Sequence, residues 1–470
     1  MSTDRHGLEM SETSAEGVRH YERALDALLF FRPDVASESA AASAASPTSP
    51  MAHVFEAYLG CLGTEPVDVA AARERMAAFL PGLGEVTDRE AMHLAAARAW
   101  IEGDLVSASL LLQEIVAAHP LDTLALAVGH QLDFFTGDAV GLRDRVGGVL
   151  ASWDPEDPHY GPLSGMSAFG LEEAGHYDRS EDVGLAAVAA NPRDVWAIHA
   201  VVHTYEMQGR FAEGIRFMDA RTEHWSSGNY LNVHNWWHYG LYSIEAGAHD
   251  RAVAVYDAVL HNARSQGLAM ELLDASALLW RLYLAGDARS ERWAVLADAW
   301  AGRADPAHYA FNDAHAVMAY VGAGRIADAE ALIADRAKWA EVAPDSVTNA
   351  AMTTGVGLPV CRALVAFGRG RYADTVETLA PIRRHLNRFG GSHAQRDAIQ
   401  KTLVEASLRA GRHDLARTLI GERVNLRPSS PYDRLKQAEL ADAVGRAADA
   451  ATARERAATH TATILTAWGR

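Results

Sequence analysis

A glycine recurs along this chain at intervals of 34 to 46 residues, each time between two stretches that read as helix. The positions are Gly63, Gly103, Gly137, Gly175, Gly209, Gly247, Gly286, Gly324, Gly370, Gly411 and Gly445. A period of that length with a helix on either side specifies stacked helical hairpins, close to the 34-residue tetratricopeptide repeat. Glycine suits such turns because it accepts the left-handed conformation that a helix C-terminus often needs. The second helices open on small and apolar residues, as in Arg210-Phe-Ala-Glu-Gly-Ile215 and Arg371-Tyr-Ala-Asp-Thr-Val376. The expectation is therefore all-α: a tetratricopeptide-like right-handed superhelix of about ten helical hairpins.

No shift of composition divides the array, so residues 51–470 read as one superhelical domain. Residues 1–50 read as a polar tail, an amphipathic helix near Glu16–Phe31 that Pro33 ends, and an Ala/Ser-rich loop from Ala36 to Pro50 too poor in large apolar groups to pack. A formal charge of −18, with Lys only at Lys338, Lys401 and Lys436, argues against nucleic-acid binding, which needs clustered cations on one face. Cys61 and Cys361 stand far apart, outside any metal or disulfide spacing. No signal core and no apolar run of the ~18 residues a membrane span requires are visible. A cytoplasmic protein that does not enter a membrane is expected.

The repeat frame assigns faces. With the turn glycine at about the fifteenth place, the second, fifth, ninth and twelfth places of each first helix face the inner wall. His199, His203 and Glu206 then fall at places five, nine and twelve before Gly209, and all point inward. His234 and Trp237 take the second and fifth places before Gly247, with His238 one off that line. Trp236, at the fourth, reads as core. Glu172, Asp274, Trp280, Asp313 and His315 add acids, a Trp and a His to neighbouring first helices. His238 and His315 stay open between site and hydrogen-bonded core. Gly390-Gly-Ser392-His393-Ala-Gln-Arg396-Asp397 opens a late helix; Ser392 reads as its cap, while His393 and Arg396 stay open between an anion contact and structure. His6, His20, His224, His249 and His413 read as surface residues.

From about Met92 to Pro431 the chain resembles the tetratricopeptide repeat protein 38 family. The resemblance rests on Gly165-Met-Ser-Ala-Phe-Gly-Leu-Glu172-Glu173-Ala-Gly175, His199-Ala-Val-Val-His203, Glu206-Met-Gln-Gly-Arg210, His234-Asn-Trp-Trp237-His238, Ala310-Phe-Asn-Asp313-Ala-His315 and the Gly390 motif. It implies an all-α superhelix with these motifs inside, and carries over neither reaction nor substrate.

The His-x-x-x-His pairs at His199/His203 and His234/His238 place imidazoles on one helix face, the arrangement that lets two rings reach one divalent ion such as zinc, with Glu206 or Asp313 to complete the shell. The glutamate of His-Glu-x-x-His is absent, since Ala200 follows His199. A metal-free reading gives the same histidines acid/base work, oriented by Asp274, Asp313 or Glu206, between Trp237 and Trp280 as walls for a small molecule. No nucleophile stands in a diagnostic frame. Enzyme is favoured over non-enzyme, with metal-assisted hydrolysis one candidate class. The alternative is an adaptor that binds a peptide or protein partner in its concave groove.

Overall fold

The computed structural model describes residues 2–288, 290–303 and 305–469. Apart from a two-residue antiparallel ladder that pairs Ser2 with Met10 and Thr3 with Glu9, its regular elements are helical. Ten of the eleven turn glycines have φ between 68° and 91°, as left-handed helix ends demand. The exception is Gly63 at φ −74°, where the following Thr64 takes the left-handed place at φ 55°. The all-α, tetratricopeptide-like organisation holds.

The chain forms two compact units. The first comprises Met1–Ala200, His224–Asn232 and Ala343–Ala351; the second comprises Val201–Glu223, Val233–Val342 and Met352–Arg470. In the first unit, hairpins run Pro50–Leu62 with Pro66–Phe79, Asp88–Ile101 with Leu105–Ala118, Thr123–Thr136 with Ala139–Gly147, and Tyr160–Glu173 with Tyr177–Ala190. Their starts are fixed locally. Thr87 and Glu90 form a reciprocal capping box, and Asp104, Asp122 and Asp138 each accept backbone N–H groups of the turn they precede.

The first amphipathic helix spans Ala15–Leu29, close to expectation. The Ala/Ser segment after it differs: Val35–Ala45 is helix, with Val35, Ser39 and Ala42 buried. Smallness is the reason. Alanine is the best helix former, and at Gly17 a β-carbon would meet the Ser46 hydroxyl, so only small residues allow this approach. A segment without large side chains packs here by closeness.

In the second unit the hairpins are Asn232–Glu245 with His249–Val255, Ala269–Leu284 with Ser290–Arg303, Ala310–Gly322 with Ile326–Ala340, Leu358–Gly368 with Tyr372–Leu379, His393–Arg409 with His413–Leu426, and Pro431–Ala443 with Ala447–Ala467. Two glycines set how closely these pack around the histidines. At Gly214 a β-carbon would lie 2.5 Å from the Tyr242 ring; its absence lets the Tyr242 hydroxyl donate to the Val202 carbonyl at 2.6 Å. That bond ties the helix of His234 and His238 to the helix of His203. At Gly240 a β-carbon would meet Leu278 at 2.8 Å, so the Asn232–Glu245 helix seats against Ala269–Leu284.

Among the described residues one helix, Thr348–Gly368, is long and apolar enough to cross a membrane, with mean hydropathy 1.5. It escapes a search for unbroken apolar runs because Thr353, Thr354, Gly355 and Gly357 interrupt it. Of its apolar window 67% is buried inside the protein, as in a core helix.

Candidate metal centre

The Val195–Met207 helix carries His199 and His203 one turn apart on one face, and the division between the units falls between Ala200 and Val201. In the second unit, His203, His234 and His238 each bring a ring nitrogen to within 4.8 Å of the others. The ring centroids of His203 and His238 are 4.4 Å apart, and those of His234 and His238 4.8 Å, both edge to face. His203 and His238 are fully buried, and the His234 side chain is 19% exposed.

Two carboxylates orient these rings. Nδ1 of His238 meets Glu206 Oε2 at 2.7 Å, and Nδ1 of His234 meets Asp274 Oδ2 at 2.8 Å. With Nδ1–H donating to a carboxylate, the lone pair resides on Nε2, the usual state of a metal-bound histidine. Burial pushes the Glu206 carboxyl up to about 7 despite the opposing fields of His203, Arg427 and Arg281. His234 also stacks on Trp237 at 5.0 Å and 15°, and the Arg281 guanidinium lies 5.2 Å from the centre of the same indole. Arg281 is held by the carbonyls of Ala277, at 3.0 Å, and of Ala394.

The other residues singled out in the sequence fall as follows. His199 lies in the first unit between Phe169 and Trp196, with ring centroids at 5.3 and 5.4 Å, and Trp196 in turn stacks under Phe31. Glu172 is fully buried in that unit. Asp313 pairs with Arg336 at 2.9 Å, and burial raises its carboxyl against that pairing. His315 donates from Nδ1 to the Phe311 carbonyl at 2.8 Å, and burial drops its imidazole to about 4, a neutral core histidine. Trp280 donates to Thr402 at 2.8 Å and is fully buried. Ser392 caps its helix in a box with Gln395. Arg396 curls back to the carbonyls of Gly390 and Gly391, while His393 stands half-buried in the first turn. Trp237 is fully buried beside the histidines, stacked on His234, while Trp236, expected in the core, is only half-buried.

A second polar cluster of this unit was not anticipated. Asp397 accepts from Arg423 at 2.6 Å and Arg427 at 3.2 Å, Arg423 reaches Asp433 at 2.5 Å, and Lys401 meets Glu245 at 2.6 Å. The residual cavity between this network and Glu206 is about 10 Å³, room for roughly one water. One signal was available in the sequence: Asp397, Lys401 and Glu405 at four-residue spacing put alternating charges on one helix face, and the structure shows that face buried.

No family model matches this chain. Among solved structures, a monomeric IFIT1 mutant with Gppp-AAAA is similar over 96% of both chains at 13% identity and TM-score 0.39. The Cut9–Hcn1 hetero-tetramer of the APC/C covers 96% of both chains at 10% identity and TM-score 0.28. The P58(IPK) TPR domain covers 81% of this chain and 98% of its own, at 13% identity and TM-score 0.22. By its own hairpins and left-handed turns, this chain is an all-α repeat protein of tetratricopeptide-like fold.

Proposed function

We propose that the histidine cluster of the second unit holds a divalent ion, with His203, His234 and His238 as ligands, and that the protein acts there on a small molecule. One observation carries this reading: two of the three converging imidazoles have Nδ1 fixed by buried carboxylates, which presents Nε2 as the ligand atom. Three imidazoles without thiolate favour zinc, with a position left open for substrate. The ion would polarise a substrate oxygen, as in a metal-assisted hydrolysis. Glu206, raised to about 7 and 2.7 Å from His238 Nδ1, supports proton transfer beside it at neutral pH. On the motifs quoted above we place the chain in the tetratricopeptide repeat protein 38 family and in the cytoplasm, where the two buried free cysteines would stay reduced.

A groove of about 450 Å³ favours a second reading, an adaptor. It lies across the last helices of the second unit, floored by Ile420, Leu440 and Ala453 and edged by Arg417, Arg446 and Arg456, a setting for an acidic peptide.

Cobalt titration of the chelator-treated full chain separates the two. The metal reading expects the visible bands of nitrogen-rich tetrahedral cobalt, abolished in His203→Ala/His238→Ala. Unchanged spectra in that variant would withdraw the centre and leave the adaptor.

A further inference from the structure

The first unit holds a cluster that the proposed centre does not use. Its amino-terminal hairpin folds over Asp4, whose Oδ1 accepts the N–H groups of His6 and Leu8 at 2.9 Å each. This turn delivers His6 against Trp153 and His159, at ring centroid distances of 4.9 and 5.2 Å, so His6 is covered, with only 6% of its side chain exposed. His6 Nε2 lies 3.0 Å from Asp157 Oδ2. The other oxygen of Asp157 accepts the N–H of His159 at 2.8 Å, which holds the carboxylate in place. The His159 ring is fully buried, with Nδ1 3.0 Å from the Thr123 hydroxyl and Nε2 turned toward Asp26 at 2.8 Å.

We infer that His6, Asp157 and His159 form a divalent-cation site that staples the amino-terminal hairpin to the body of the first unit. Three observations support this. One ligand atom from each residue falls within 4.8 Å of the others, close enough for a shared ion at bonds of about 2 Å. The hydroxyl of Thr123 holds Nδ1 of His159, so its Nε2, now on Asp26 at 2.8 Å, is the nitrogen an ion would take in place of that hydrogen bond. Charge is the third: Asp26 and Asp157 each contact one of the two imidazoles, and among the described residues Arg5 is the one arginine or lysine paired with Asp26, a carboxylate excess that a divalent ion offsets.

Arg5 sets the competition. Its guanidinium sits 2.9 Å from Asp26 and 3.5 Å from His159 Nε2, next to the position the ion would take. Without an ion, the same contacts are two imidazole–carboxylate hydrogen bonds, His6 to Asp157 and His159 to Asp26. A zinc ion binds neutral imidazole and is expelled by acid, whereas an imidazolium latch tightens in acid.

The test uses the full, tag-free chain carrying His203→Ala/His238→Ala, so that the centre in the second unit contributes nothing. Equilibrium dialysis against zinc should give about one further equivalent, lost with His6→Ala, weakened at least tenfold by Asp157→Asn and tightened by Arg5→Ala. Hydrogen exchange should report slowed amides in the Ser2–Met10 hairpin with zinc and their release with EDTA. His6→Ala alters a hairpin side chain, so helicity should hold and certify that lost binding is not unfolding. Zinc retained in His6→Ala overturns the assignment. So does a hairpin whose protection follows pH between 5 and 8 with no response to zinc or EDTA, the behaviour of an imidazolium latch.

Discussion

Glu206 and Asp397 are both buried carboxylates of the second unit, yet they titrate in opposite directions. Burial raises Glu206 to about 7 because its nearest partner is an imidazole and the guanidinium fields of Arg427 and Arg281 do not offset the lost water. Asp397 suffers the same burial, but Arg423, Arg427 and Lys401 outweigh it and hold the carboxyl well below the usual range. Around Asp397 each carboxylate has a cation in direct contact, and the geometry is closed. Around Glu206 and Asp274 the carboxylates end on Nδ1 atoms, and the two rings, with that of His203, each bring a nitrogen to within 4.8 Å of the others. A saturated ion network rigidifies, whereas a ring of oriented imidazoles presents lone pairs to a ligand.

The contrast breaks most visibly at Asp397. Asp397→Ala strands Arg423 and Arg427 in the interior, and denaturant unfolding should show a loss of about 3–5 kcal/mol. A loss under about 1 kcal/mol would mean that the network is not the structural half of the pair. At the other cluster, His203→Ala should lower zinc affinity by about a thousandfold or more while the metal-free protein loses only ~1–2 kcal/mol, read by chelator competition and by unfolding in EDTA. Loss of folding with no change in zinc affinity would return His203 to the core.

Orientation is a smaller effect. Asp274→Asn keeps the shape but weakens the hold on Nδ1 of His234, and a decrease of about 10–100-fold in zinc affinity is expected by the same competition. The smallest effect tests what a buried histidine does without a carboxylate. In the first unit His130 is fully buried, with no hydrogen-bond partner on either ring nitrogen among the described residues, and burial drops it to about 3. The native ring is neutral where the unfolded one takes a proton, so stability present above pH 6.5 is lost as pH falls toward 3. His130→Leu should therefore recover about 1–2 kcal/mol at pH 5 relative to the wild-type change from pH 7, measured by urea unfolding at both values.

The hairpins were legible because each turn spends a glycine on a left-handed residue, a requirement that sequence displays directly. The site was legible only one helix at a time. Spacing put His203 and Glu206 on one face, and His234 and His238 on another, but the pairings His238 to Glu206 and His234 to Asp274 depend on how neighbouring hairpins stack. Gly214 and Gly240 set that stacking, and their role is visible only once Tyr242 and Leu278 are seen against them. Trp236, expected in the core and found half-buried, shows the same limit, since a register error of one residue turns a helix by about 100°. His6 read as a surface residue because nothing in a polar tail announces that Asp4 bends it back onto Trp153.

The most direct test of the centre is elemental analysis of the tag-free full chain beside His203→Ala/His238→Ala, by inductively coupled plasma mass spectrometry after dialysis against zinc and metal-free buffer. The account predicts that the variant carries one equivalent less zinc per chain at unchanged helicity. Equal metal content in the two proteins would contradict it, and would leave the three imidazoles as buried, carboxylate-tied elements of the core.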